Sequence, residues 1–195
     1  MSASLQDIAP ALRGRLPNPA LAAFVPRIVN DVLELPVYHM RGGTSTGIVL
    51  WHEHLPSAPA LREEAIRWLM GVPPAGEVKG NQQTTGLGRG PSTSNKVFIV
   101  DRSPNTEADI TSTLAQLAAD KSAIDWSVNC GNMSAALTMY ALDTGLFKAA
   151  AGTTVMRIFN TNTRVTTDAT VKTPDGTLKR RDVLPVSFVP LIGRR

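Results

Sequence analysis

The chain has 195 residues, 43% of them hydrophobic and 18% charged, a balance that supports one packed domain with a sizeable core and excludes a disordered chain. Twenty basic against sixteen acidic residues give a formal charge of +4, yet only Lys179-Arg180-Arg181 and Arg194-Arg195 are dense and aromatics are only 5%, so nucleic-acid binding, which needs a concentrated basic face with stacking rings, is set aside. The single cysteine excludes an internal disulfide framework and fits a reducing, cytoplasmic compartment, and no apolar run approaches the length needed to cross a membrane.

Residues 1–34 read as an N-terminal extension, in which short apolar patches alternate with prolines and a short helix from about Ala20 is limited by Pro26. LPVYHM (Leu35–Met40) and GIVLWHEHL (Gly47–Leu55) predict two strands joined as a hairpin by RGGTST. ALREEAIRWLMG (Ala60–Gly71) predicts a helix whose inner stripe is Leu61, Ala65, Trp68 and Leu69 and whose stop is Gly71. Val72 to Thr93 is loop-like, and NKVFIVDR (Asn95–Arg102) is an apolar strand with Lys96 at its beginning.

Acids in the first turn make TEADITSTLAQLAAD (Thr106–Asp120) a predicted helix, and SAIDWSVN a strand leading into Cys130. MSAALTMYALDTG, apolar on nearly every side, predicts a buried helix ending at Gly145. TTVMRIFNTNTRVTTDATV returns as one or two strands with a turn near Asn160 to Asn162, and TPDG is a further turn. The fold class is α+β, a curved mixed β-sheet wrapped around a central helix at about 133–145. The alternative is a parallel βαβ sheet.

Three stretches carry chemistry. Cys130 sits at the start of a helix, where unpaired N–H groups and the positive end of the dipole stabilise a thiolate and cradle a carboxylate. Gly131 allows close approach and Asn129 or Asn132 can cap or donate, although by type and placement alone a lone cysteine is more often a small buried hydrophobe. In MRGGTSTG, two glycines and the hydroxyls Thr44 to Thr46 beside Arg41 suit an anion; turn geometry alone would also explain the glycines. TTGLGRGPSTSNK has neither GxGxxG nor GxxxxGK[ST] and precedes a strand, so no nucleotide site is assigned. It delivers Lys96 to the start of a buried strand, where an amine becomes a usable base, or else is simply a surface lysine. His52-Glu53-His54 is read as a solvent-facing edge pair rather than a metal site.

Taken together and in this order, RGGTSTG, STSNKVFIV and NCGN before an apolar helix resemble the PrpF family of isomerases, which includes 2-methylaconitate isomerase, 4-oxalomesaconate tautomerase and methylitaconate Δ-isomerase. The resemblance spans about residues 35–172. It implies a diaminopimelate-epimerase-like fold, with residues 35–180 forming the N-terminal domain and the active site in a cleft between two domains. It also implies a proton shift along an allylic or keto–enol system of an unsaturated tri- or dicarboxylate, without metal or organic cofactor. Lys96 and Cys130 stand at the family's catalytic positions; Arg41, Gly42, Gly43, Thr44, Ser45, Ser94, Gly131 and Asn132 are the implied substrate-binding residues.

Two departures from the family pattern stand out. Thr46 occupies a position where the family often has lysine, and residues 181–195, with VLPVSFVPLIGRR, read as a truncated or divergent tail where a second domain is expected. A homodimer or a missing second domain would complete the cleft. The alternative is an inactive carboxylate-binding module with the same fold.

Overall fold

Residues 26–30, 32–104 and 107–178 are described by a computed structural model; the helix expected from Ala20 and the tail at 181–195 lie outside them. A small hairpin, β1 (Arg27–Val29) and β2 (Val32–Glu34), is closed by an Arg27–Glu34 ion pair. The main sheet contains β3 (Tyr38–Gly42), β4 (Ser45–Trp51), β5 (Lys96–Arg102), β6 (Ile110–Leu117), β8 (Gly152–Asn160) and β9 (Val165–Thr173) in that order, with β7 (Ile124–Asp125) pairing the end of β6. The pairs β4–β5 and β6–β8 are parallel and the others antiparallel. It is therefore a mixed sheet, as expected.

Helix α1 (Pro59–Met70) covers one face of this sheet and α2 (Gly131–Asp143) the other. Strand β5 shows why: successive side chains point to opposite faces, so Val97 and Ile99 pack with Ile66 and Met70 of α1, while Phe98 and Val100 pack with Met133, Leu137 and Tyr140 of α2. Helix α2 touches β3 and β4 at one end of the sheet and β9 at the other. The sheet curls around it.

Helix α1 begins on a proline and ends at Gly71, which takes the left-handed conformation (φ 68°, ψ 28°) that glycine tolerates best. Of the expected stripe, Ala65 and Leu69 pack against the sheet-side core, but the deepest positions are others. Ile66 and Met70 are buried, whereas Trp68 is 69% exposed.

Within the stretch 106–120 predicted as a helix, Ile110–Leu117 form strand β6 instead. Ile110, Ser112 and Leu114 are buried and alternate with the half-exposed Thr111 and Thr113, a period-two pattern with β-branched residues that β5 and β8 satisfy by pairing. Asp109, one of the acids read as favouring a helix start, stitches the chain to β8: it donates its N–H to Arg157 O (2.8 Å) and accepts the Arg157 N–H on its carboxylate (2.7 Å). The strand expected across SAIDWSVN shrinks to Ile124–Asp125, because Asp125 accepts from both the N–H and the hydroxyl of Ser127 and turns the chain away.

The expectation of solvent-facing histidines is also corrected. Strand β4 stops at Trp51 and His52–His54 form a single 3-10 turn, with His52 beside Asp101 (3.5 Å) but His54 only 2% exposed and both its ring nitrogens without a partner. Burial holds the His54 pKa down, from 6.5 to about 4, against a smaller opposing pull from Glu53. The unfolded chain therefore binds an extra proton between those values. Stability is full above about pH 6.5 and falls as pH drops toward 4, by up to about 1.4 kcal/mol per unit. Urea unfolding should show the natural protein losing about 2 kcal/mol more than His54→Leu between about pH 7 and pH 5; equal losses would refute this account.

Candidate functional site

The β3–β4 hairpin is seated on the first turn of α2. Its turn is only Gly43-Thr44, with Gly43 at φ 56°. A Cβ on Gly42 would lie 1.9 Å from the backbone oxygen of Asn132, so only glycine permits this approach. The Asn132 side chain donates to the Thr44 hydroxyl (2.9 Å), and Cys130, the N-cap of α2, sets its thiol 3.6 Å from the hydroxyl of Ser45. Ser45 is 3% exposed. No side chain caps the helix, and the space where a Gly131 Cβ would project is open to 4 Å. Donors of the first turn are thus left for an anion.

The loop delivering Cys130 is held by Asn129, expected as a cap or donor and found as an acceptor, and by Asn160 and Asn162, expected as part of a plain turn. Asn129 Oδ1 accepts the Cys130 N–H (2.7 Å) and the Asn160 side-chain amide (3.1 Å), while Asn160 Oδ1 accepts from the N–H and hydroxyl of Thr163, each at 2.9 Å. Asn162 bonds both backbone groups of Leu114 (2.7 and 2.9 Å) and donates to Trp126 O (2.6 Å). The signal available was NTNT between two strands, a pattern in which side-chain amides replace backbone partners. Asn162→Ala should cost about 1–3 kcal/mol, because the Leu114 amide groups lose their partner in a part-buried place; chemical denaturation reads it directly.

Lys96 opens β5, only 8% exposed, and lies on the α2 face by its alternation with Phe98 and Val100. It stands directly opposite Gln116 of β6, whose side-chain oxygen accepts from its Nζ. Gly47 gives it room, since a Cβ there would meet the Lys96 Cβ at 3.0 Å and its backbone oxygen at 2.7 Å. The approach to Lys96 is fixed by a buried amide pair: Gln83 Nε2 donates to Met70 O and to Asn95 Oδ1 (both 2.9 Å), and its oxygen accepts the Gly90 N–H (2.7 Å). Gly88 is pressed against both amides and Gly86 against the backbone of Met70 and Gly71, so these two glycines of GLGRG serve packing, while Gly90 takes a positive φ of 88°.

Two of the sequence-predicted binding residues are occupied elsewhere. Arg41 alternates with Met40 and Gly42, which face α2, so it lies on the other side of the hairpin, where its Nε donates to Gly43 O (3.1 Å). The Ser94 hydroxyl donates to Pro91 O (3.0 Å), and Thr46 N–H to Thr93 O (2.9 Å) ties that loop to the hairpin. An open depression of about 520 Å³ is lined by Gly90, Ser92, Gln116 and Ile124 among others, but by neither Cys130 nor the hairpin. Among the described residues no group of three or more His, Cys, Asp or Glu could hold a metal ion, and no helix is long and apolar enough to cross a membrane.

The PrpF protein family model matches residues 32–193. The chain belongs to the PrpF family. Among PrpF relatives, it is 35% identical over 156 residues to the 4-oxalomesaconate tautomerase of Pseudomonas putida, covering 80% of this chain and 42% of that protein. It is 33% identical over 162 residues to the 3-methylitaconate isomerase of Eubacterium barkeri, covering 83% and 41% respectively. A crystal structure of methylitaconate-delta-isomerase superposes with a TM-score of 0.66 at 33% identity, covering 73% of this chain and 35% of that one. The curled mixed sheet around α2 is thus the PrpF, diaminopimelate-epimerase-like fold. The chain spans about two-fifths of the length of the curated PrpF relatives it matches.

Proposed function

We propose that this chain serves a cytoplasmic isomerase or tautomerase of unsaturated di- or tricarboxylates of the oxalomesaconate, methylaconitate or methylitaconate type. The observation that carries the reading is the hairpin seated on the uncapped start of α2, which sets the Cys130 thiol beside Ser45 at a helix N-terminus in a chain whose relatives bear isomerase and tautomerase names.

In the proposed reaction, the neutral Lys96 amine removes a carbon-bound proton next to a carboxyl-conjugated double bond or a carbonyl. The electron pair moves along the conjugated system, and a proton is returned at the far carbon. Neither step changes the oxidation state of the molecule. Cys130 is the second proton-handling group. The negative charge that builds on the carboxylate or enolate oxygen is met by the N–H groups of Gly131 and Asn132 and by the hydroxyls of Thr44 and Ser45, which are fixed before the substrate arrives. Arg41 contributes by holding the turn.

The test is deuterium incorporation from heavy water, followed by NMR, with a panel of aconitate-type acids. Exchange at a substrate carbon, lost in Cys130→Ser or slowed at least about a hundredfold, is the expected result. Binding of the acids without exchange would leave a carboxylate-binding module, and neither binding nor exchange by the folded protein would defeat the proposal.

A further inference from the structure

We propose that Gln116 is the positioning residue for the Lys96 amine, an inference that rests on Lys96 being the proton carrier. The antiparallel register sets the two residues directly opposite on one face of the β5–β6 pair, where facing side chains are near neighbours. Gln116 Oε1 accepts from Lys96 Nζ. The other end of the same amide is fixed by three carbonyls that share its two N–H groups: Nε2 lies 3.0 Å from Ser92 O, 2.9 Å from Asn95 O and 3.2 Å from Leu117 O. Turning the amide over would set its oxygen against three carbonyl oxygens. The acceptor therefore faces Lys96 whatever the protonation state of the amine.

The choice of an amide has a chemical consequence. A carboxylate at position 116 would hold the lysine as an ammonium ion through an ion pair and oppose its use as a base. An amide oxygen accepts a hydrogen bond from the amine and the ammonium alike, so it aims the nitrogen without fixing its charge. Gln116 is in turn tied through the Asn95 backbone to the buried Gln83–Asn95 pair and the glycine loop. Lys96 is aimed by the sheet, not by its own flexible stem.

Lys96 reactivity toward an amine-selective acylating reagent at fixed pH, read by peptide mass spectrometry, tests this without reference to catalysis. Gln116→Glu should slow acylation at least about tenfold, and Gln116→Ala should speed it several-fold as the amine is released. In the deuterium assay Gln116→Ala should lower kcat at least about tenfold with KM nearly unchanged, and Gln116→Glu should move the rising, acid-side limb of the pH profile to higher pH, because the base must lose its proton to act. Should these variants not fold, the side-chain amide protons of Gln116 in the natural protein should exchange with solvent at least about tenfold more slowly than those of the exposed Gln82, and their resonances should move in Lys96→Met. Acylation within twofold of the natural protein in both folded variants, or amide exchange as fast as that of Gln82, overturns the inference. Acylation that responds to position 116 in a protein with no isomerase activity would instead retain the positioning role and remove the proposed function.

Discussion

Alanine at position 42 is expected to destabilise the protein by about 3 kcal/mol or more, at the upper end of what overpacking costs. The added methyl would stand 1.9 Å from the Asn132 carbonyl oxygen, 2.7 Å from its carbon and 2.9 Å from the Met133 Cα. All three atoms belong to the backbone of α2, so no side-chain rotation relieves the clash. The helix itself must move, yet it is packed against β3 and β4 at one end of the sheet and β9 at the other. Gly131→Ala is the matched control: nothing lies within 4 Å of its added methyl, and alanine is the better helix former. Urea unfolding of both variants should therefore separate by several kcal/mol. A Gly42→Ala protein as stable as Gly131→Ala would show that the hairpin is not seated on α2 as described.

The second large effect concerns chemistry. Lys96→Met should lower deuterium exchange into substrate by about a hundredfold to ten-thousandfold, the usual contribution of a positioned acid–base group. Methionine keeps most of the lysine stem, so the buried start of β5 remains filled, while the Gln116 oxygen loses its donor. Because the amine acts in the chemical step, the loss should fall on kcat with KM close to that of the natural protein. Full exchange in Lys96→Met would remove Lys96 from the mechanism and direct attention to Cys130 alone. Loss of substrate binding together with exchange would make it an anion-binding cation.

The hairpin, the Lys96 strand, the Cys130 helix and the final two strands were legible because each carries a strong local signature: glycines between β-branched runs, a continuous apolar strand, a helix apolar on all sides. β6 was not, since Asp109 resembles a helix-start acid until its partner Arg157, 48 residues along the chain, is known. Trp68 was misassigned for a related reason. Helical spacing predicts that one stripe faces inward but not which of two adjacent stripes the sheet selects, and Ile66 and Met70 fit between Leu50, Val97 and Ile99. At the site, motif residues on one side of the hairpin were found with those of the helix start, whereas Arg41 faces away by strand alternation, a parity that reading RGGTST as a loop conceals. NTNT signals side-chain amides in the Asn160–Asn162 turn, but the long-range partners of Gln116, Asn160 and Asn162 are visible only in three dimensions, as they are distant in sequence.

The gap that Asn162 fills ties the order of assembly to the site. Strand β6 is paired along one edge by β8 only through Ile110–Ser112 and by β7 only at Gln116–Leu117, and between them the Leu114 peptide groups are met by a side chain in place of a strand. That side chain also holds the Trp126 carbonyl, just upstream of Cys130, and its neighbour Asn160 reaches Asn129. The thiol-bearing loop is therefore ordered by residues that follow it in the chain by about thirty positions. A nascent chain that has made α2 still lacks the asparagines that hold the loop before Cys130, and damage confined to Asn160–Thr163, at the tip of the 152–173 hairpin, would be felt first as a disordered thiol, whereas damage at Met156 or Ile158 would reach the core.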